Sequence, residues 1–410
     1  MKIWVIATLD TKFAEADFIC EKIKDKGHQA IVVDPGSSGI PGIRADVSRE
    51  EVALAGGTAL DELKVRNDKA FSQQIMREGL INLISRSYAE GNIDGVISVG
   101  GGQGTAMATA AMRMLPFGIP KVMVSTVACG QTTFGPYVGT SDMTMIHSVA
   151  DIAGLNFITK KIIAQAAAAV VAMAGEKEEN EESTKPLIAI TQAGVTTPGT
   201  MAIKSSLEEN GFEVVVFHCN GIGGQAMEDF IRQGVIKGVI DYSPHELVDL
   251  FCDGLMPALP GRMTAAGEMG IPQIVGPGCA DMRLHVWSQI PDELKDRPYV
   301  RHTPTHTHFR TTYDELYQVG SYIADHLNQG KGPRAAVVPL KGYSMMNREG
   351  MPLYDEAANK GYEQALDDHL NDDIPLLKHP SHINDEEFTE EVVSLFMKLW
   401  AQNEVDRLDN

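Results

Sequence analysis

The stretch from Ile93 to Leu115 constrains the fold more than any other, and it reads I-D-G-V-I-S-V-G-G-G-Q-G-T-A-M-A-T-A-A-M-R-M-L. A short apolar run, Gly95 to Val99, has no polar alternation, which predicts a strand buried on both faces as in a parallel sheet. Four glycines in five residues follow it: Gly100, Gly101, Gly102 and Gly104, with Gln103 between the last two. Thr105 then opens an Ala/Met-rich segment of high helical propensity. Strand, glycine loop and helix together aim free backbone N–H groups and the positive end of a helix dipole at an anion. Glycine lets the backbone approach a ligand closely and reach positive φ without strain. The spacing is neither the dinucleotide fingerprint G-x-G-x-x-G nor the P-loop, and the loop carries no lysine. The stretch therefore suits a phosphate or another anion, or is simply a tight strand-to-helix turn.

Other loops are expected on the same rim. Residues 3–8 predict a first strand, ending in Thr8, Leu9, Asp10, Thr11 and Lys12. A helix follows with Phe13, Ala16, Ile19, Cys20 and Ile23 on one face, then a strand from Ala30 to Val33 that closes at Asp34 and the turn 35–39. A βαβ opening implies a parallel sheet, whose ligands sit outside the carboxyl ends of the strands. A strand from Lys121 to Ser125 adds a fourth rim loop with Ser125, Thr126, Cys129 and Gly130. Cys129 reads as a small packed thiol, since no histidine is fixed beside it. Residues 41–68 read as loop with short helices, and residues 156–174 as a helix apolar on most sides, buried between domains.

The acidic run from Glu176 to Lys185 divides the chain into an N-terminal domain, 1–175, a linker, 176–186, and a C-terminal domain, 187–410. The second half restarts the same pattern of strand, polar turn, helix, glycine and strand between Leu187 and Phe217, which suggests a divergent duplication. The expected fold is α/β, two Rossmann-like doubly wound domains with mostly parallel sheets. A second glycine-rich turn, His218 to Gln225, is another cradle for an anion or carboxylate. The segment 297–312 gathers Arg301, His302, His306, His308 and Arg310. If it is extended, His306 and His308 share a face and, with His302 or His218, could hold a metal. It also reads as an anion-facing loop, or as exposed or interfacial surface.

A length of 410 residues accommodates two domains with proper cores. The net charge of −20 argues against nucleic-acid partners, which need cationic surface. Five scattered cysteines without a C-x-x-C predict reduced thiols and a cytoplasmic location. The N-terminus turns polar too early for a signal peptide, and the longest apolar tract, 162–174, is too short to span a bilayer, so no membrane partner is expected. The apolar helix at 156–174 predicts a homo-oligomer, a dimer.

Several motifs resemble a known family: A-T-L-D-T-K at 7–12, V-D-P-G at 33–36, G-V-I-S-V-G-G-G-Q-G-T at 95–105, V-S-T-V-A-C-G at 124–130 and S-V-A-D-I-A-G-L-N at 148–156. The second half adds F-H-C-N-G-I-G-G-Q-A-M-E at 217–228, P-G-C-A-D-M at 277–282, F-R-T-T at 309–312 and S-H-I-N-D at 381–385. The chain is similar, over nearly its whole length, to the bacterial and fungal proteins related to the plant inhibitor of tomato mosaic virus RNA replication. That resemblance implies an ATP-binding N-terminal domain with nucleotide contacts at Thr8, Asp10, Thr11, Lys12, Gly100 to Thr105 and Ser125 to Gly130. Mg²⁺ is expected on Asp10 or Asp142. The functional expectation is an ATP-binding protein, as an ATP-dependent enzyme acting on a small anionic metabolite in a domain cleft. His218, Arg301, His302 and Arg310 are its candidate catalytic residues. The alternatives are a nucleotide-sensing interaction module without catalysis, or a non-nucleotide hydrolase or lyase using Cys279 or a histidine-bound metal.

Overall fold

The computed structural model describes residues 1–129, 135–176, 185–303 and 305–408. Among them the chain divides into two units, Met1–Asn180 and Glu181–Asn410. Most of the acidic run, residues 177–184, lies outside the described residues, as does Gly130.

The N-terminal unit runs β1 (Lys2–Ile6), α1 (Phe13–Lys24), β2 (Gln29–Val33), α2 (Arg49–Ala55), α3 (Leu60–Arg66), α4 (Lys69–Ala89), β3 (Gly95–Gly100), α5 (Gly102–Met112), β4 (Lys121–Ser125), α6 (Gly135–Val138), β5 (Thr144–His147) and α7 (Phe157–Gly175). Its five strands are all parallel in the order β2-β1-β3-β4-β5. β3 and β4 are buried throughout, as their unbroken apolar runs require. Alternate side chains feed two cores. Ile3, Val5, Ile97 and Val122 pack under α1 and α7, while Trp4, Ile6, Val96 and Met123 pack under α2 to α5. α7 is long and apolar enough to cross a membrane by length and composition, yet Ile163, Ala166, Ala167 and Val170 bury against α1, β3 and β4. Side chains start the helices where the sequence offers them. Ser48 and Glu51 form a capping box on α2, and Asp68 caps α4.

The C-terminal unit runs β6 (Leu187–Gln192), α8 (Thr197–Glu209), β7 (Glu213–His218), α9 (Ile222–Arg232), β8 (Ile236–Asp241), α10 (His245–Phe251), α11 (Ala265–Met269), β9 (Gln273–Val275), β10 (Met282–His285), β11 (Tyr299–Thr303), β12 (His306–Arg310), α12 (Tyr313–Gln329), β13 (Arg334–Pro339), α13 (Glu356–His369), β14 (Leu376–His379) and α14 (Glu386–Leu408). Its large sheet is parallel, in the order β14-β13-β9-β8-β6-β7. α8 and α14 cover one face, and α9 to α13 the other. Counting only the strands of each parallel sheet, both begin from one order, 2-1-3-4-5, and the second adds a sixth strand. The chain is thus α/β with two doubly wound, mostly parallel sheets.

The segment at 297–312 is not a loop. It folds as the β11–β12 hairpin, which pairs with β10 into a three-stranded antiparallel sheet inserted between β9 and α12. Tyr299–Thr303 and His306–Arg310 carry polar groups on both faces, so the two-residue hydrophobic alternation that marks a strand is missing.

Candidate functional site

In the N-terminal sheet the winding reverses between β1 and β3, and a crevice at the carboxyl ends of those strands is where such folds take ligands. A cavity of about 900 Å³ opens there. Its walls are the loop after β1 (Thr8, Asp10, Thr11, Lys12), the loop after β2 (35–39), and the glycine loop from Gly100 through Gly104, including Gln103.

None of the four glycines in that loop has a positive φ, so backbone handedness is not what requires them. Gly100 is needed for packing, since a Cβ there would stand 3.3 Å from the Cα of Gly104. The others leave room. A Cβ on Gly101 or Gly102 would meet nothing closer than 3.7 Å, and on Gly104 nothing within 4 Å. Gly101 is the N-cap of α5 and supplies no side-chain acceptor to the first turn. An uncapped helix start, clear of side chains, therefore faces the cavity with its N–H groups and dipole.

Three of the expected contact residues hold the loops rather than line the cavity. Asp34 is buried and accepts from the N–H of Leu9 (3.1 Å), the N–H of Gly36 (2.9 Å) and Arg49 Nε (2.8 Å). Arg49 also donates to the carbonyls of Ser38 and Gly39, so one buried ion pair shapes the loops after β1 and β2 together. Thr105 and Ser125 share a hydroxyl contact of 2.6 Å. Thr105 donates as well to the Gly101 carbonyl, and Ser125 accepts from the N–H of Val127. Thr126 is tied to the loop through its N–H on the Gly100 carbonyl, and Cys129 is partly buried, but neither lines the cavity. The five cysteines form no disulfide among the described residues.

Asp142 is displaced from the expected metal position. It accepts from Lys121 Nζ at 2.6 Å and from the N–H of Gly118, beside the first residue of β4 and so at the opposite end of the sheet from the glycine loop. Lys64, Asn67, Asp68, Lys69 and Ser72 from the α3–α4 corner, and Asp151 from the loop before α7, complete the cavity wall. Lys64, Lys69 and Ser72 come from helix faces, Asn67 and Asp68 are the caps that form the corner, and Asp151 comes from a loop, so no strand-end turn announces them. Lys12 lines the cavity and donates to the carbonyl of Ile152 in the Asp151 loop.

In the C-terminal unit the second glycine turn is already filled. Glu246 Oε1 accepts from the N–H groups of Gly221 (3.0 Å) and Gly224 (2.9 Å) at the start of α9. Its other oxygen accepts from Arg262 Nε, and Arg262 also grips Asp241 and Glu228, all four side chains being buried. That turn is a carboxylate cradle whose carboxylate belongs to the chain.

The four candidate catalytic residues are not brought together. His302 lies beside His308, ring centroids 5.6 Å apart. Arg301 points to the other face of the small sheet, its guanidinium 3.4 Å over the Trp287 ring. Arg310 is buried, and its Nη atoms donate to the carbonyls of Asp281 and Asp355, to Thr311 and to Asn359. His218 is exposed at the end of the edge strand β7. Cys279 is 1% exposed, and burial pushes its thiol well above the ordinary range. Burial, followed by the neighbouring His245, His302 and His306, holds the His308 imidazole down at about 3. Among the described residues no three His, Cys, Asp or Glu side chains converge as a metal-ligand set.

Residues 1–179 match the N-terminal domain, and residues 185–400 the C-terminal domain, of the family described as Uncharacterised protein family (UPF0261). A UPF0261 protein of Clostridium tetani is 42% identical over 94% of this chain and 96% of its own length. The ToMV susceptible protein tm-1(GCR26) of Solanum lycopersicum is 32% identical over 97% of this chain, which spans 56% of the tomato protein. Among solved structures, a UDP-GlcNAc 2-epimerase from Methanocaldococcus jannaschii is 8% identical, over 67% of this chain and 83% of that one, with a TM-score of 0.21, too distant to carry any argument. The chain belongs to the UPF0261 family, and tomato Tm-1 proteins are among its relatives.

Proposed function

We propose that the N-terminal unit binds a nucleotide through its phosphates, and that the nucleotide is ATP. One observation carries the reading: the uncapped, side-chain-free start of α5 opens into a 900 Å³ cavity at the switch point of the sheet. That volume lies within the range typical of small-molecule sites, roughly 300–1,000 Å³. The matching turn in the C-terminal unit supports it, since there the same kind of loop holds a carboxylate. The choice of ATP follows from the family resemblance in the motifs at 7–12 and 95–105. Lys12 offers the phosphates a cation once it exchanges the Ile152 carbonyl for them. Asp10 and Asp151 are the cavity carboxylates suited to a Mg²⁺ that shares phosphate oxygens.

Thermal unfolding with ATP, ADP and AMP, each with and without Mg²⁺, tests this. ATP should raise the Tm most and AMP least, because the phosphates supply most of the contacts. Lys12→Ala should remove most of the shift while leaving the ligand-free Tm nearly unchanged. No shift with any nucleotide at millimolar concentration would sink the proposal.

A further inference from the structure

The small antiparallel sheet lays one face against the carboxyl rim of the six-stranded sheet. Strand alternation puts His306, His308 and Arg310 on a common face, and the register places Met282 and Leu284 of β10 and Val300 of β11 beside them. Met282 and Val300 pack with Cys279, in the turn that follows β9. The histidine face therefore covers the end of the parallel sheet at which such folds bind ligands.

Three polar atoms there have no hydrogen-bond partner among the described residues. Asp281, fully buried, accepts the Ser344 hydroxyl on Oδ2 at 2.8 Å, while its Oδ1 is unmatched. Arg310, 3% exposed, uses both Nη atoms and leaves Nε–H unmatched. His308 leaves Nδ1 unmatched. A buried polar group without a partner costs about 1–3 kcal/mol, and folded proteins pair nearly all of them. Arg310 and Asp281 are joined directly, Nη1 donating to the Asp281 carbonyl at 3.0 Å. His245 stands against the same turn, with Nδ1 3.1 Å from the Cys279 carbonyl. A carbonyl only accepts, so Nδ1 carries the hydrogen, and Nε2 faces Asp249 Oδ2 at 3.8 Å. Cys279 itself holds a φ of +59°, a left-handed conformation uncommon outside glycine, in the turn that presents this group. His302, exposed, and His306, half-buried, form the open edge.

We propose that Asp281, His308 and Arg310 form a second ligand site, in the C-terminal unit, for a small hydroxy acid. The unmatched groups are complementary to that class: a carboxylate oxygen accepts from Arg310 Nε–H, and a hydroxyl donates to Asp281 Oδ1 or exchanges a hydrogen bond with His308 Nδ1. The proposal does not depend on the nucleotide site.

The test titrates the full chain with malate and lactate, each against the acid that lacks the hydroxyl, succinate and propionate. Binding is read by calorimetry and by the ¹⁵N shift of the His308 imidazole. At least one hydroxy acid should bind roughly tenfold or more tightly than its deoxy partner and move the His308 signal. Asp281→Asn and His308→Phe should each weaken it by roughly tenfold, while the N-terminal unit's response to ATP stays unchanged. The ¹⁵N readout on the unsubstituted protein decides the matter even where a variant folds poorly. No preference for the hydroxyl, no movement of the His308 signal, or binding that survives both substitutions would overturn the proposal.

Discussion

At Gly104 a methyl group would meet no atom of the described residues beyond its own helix within 4 Å, and the residue lies in the first turn of α5. Gly104→Ala should therefore stabilise the ligand-free protein by roughly 0.5–1 kcal/mol, because alanine loses less entropy in a helix than glycine. The same methyl group enters the space a phosphate would fill, so ATP binding should weaken by an order of magnitude or more. Chemical denaturation and nucleotide titration on one sample check the two signs together. A merely tight turn would show the gain without the loss. Much of this residue-level detail was open to reading from the sequence: the glycine run, Lys12 and Asp10 are where their spacing suggested. The roles of Asp34, Thr105 and Ser125 were not, because a buried carboxylate or hydroxyl that braces a loop looks in sequence like one that contacts a ligand.

Elements divide along similar lines. β3, α5 and α7 announce themselves by long apolar runs, whereas β10 and β12 carry Arg, His and Thr on faces that the rest of the fold covers, and β11 carries them mostly exposed. Tertiary contact, not local pattern, makes them strands. Burying β12 has a measurable cost in acid. His308 titrates at about 3 in the folded chain against 6.5 for the free side chain, so below pH 6.5 the unfolded state takes up the proton first. Stability should thus fall as pH drops from 6.5 towards 3, with this residue contributing at most about 2 kcal/mol of loss by pH 5. His285 and His382, also lowered chiefly by burial, add slope of the same sign, while Asp281 and Glu228, raised chiefly by burial, oppose it. Comparing urea denaturation of the parent and His308→Phe between pH 5 and 7.5 isolates the one term. The parent should lose more stability on acidification than the variant.

For the whole molecule, the two sheets begin from one strand order, and each unit carries its own cores on both faces of its sheet. That much was legible in the repeated alternation of strand, polar turn and helix. The short strands β5 and β14, at sheet edges, fell below what a four-residue segment can signal. The two units differ at their glycine turns. Glu246 is tethered to the turn it fills, so that cradle stays saturated whatever the surrounding solution contains. On the proposed reading, the open turn at Gly100 to Gly104 takes its anion from solution. A scanning calorimeter should accordingly resolve two melting components. The one from the N-terminal unit should climb with ATP, by about 2.7 kcal/mol of added stability at a hundredfold excess over Kd, and the other should hold still. One half of this chain would thus report the nucleotide supply as a change in its own heat resistance, while the other carries a permanent substitute for the anion.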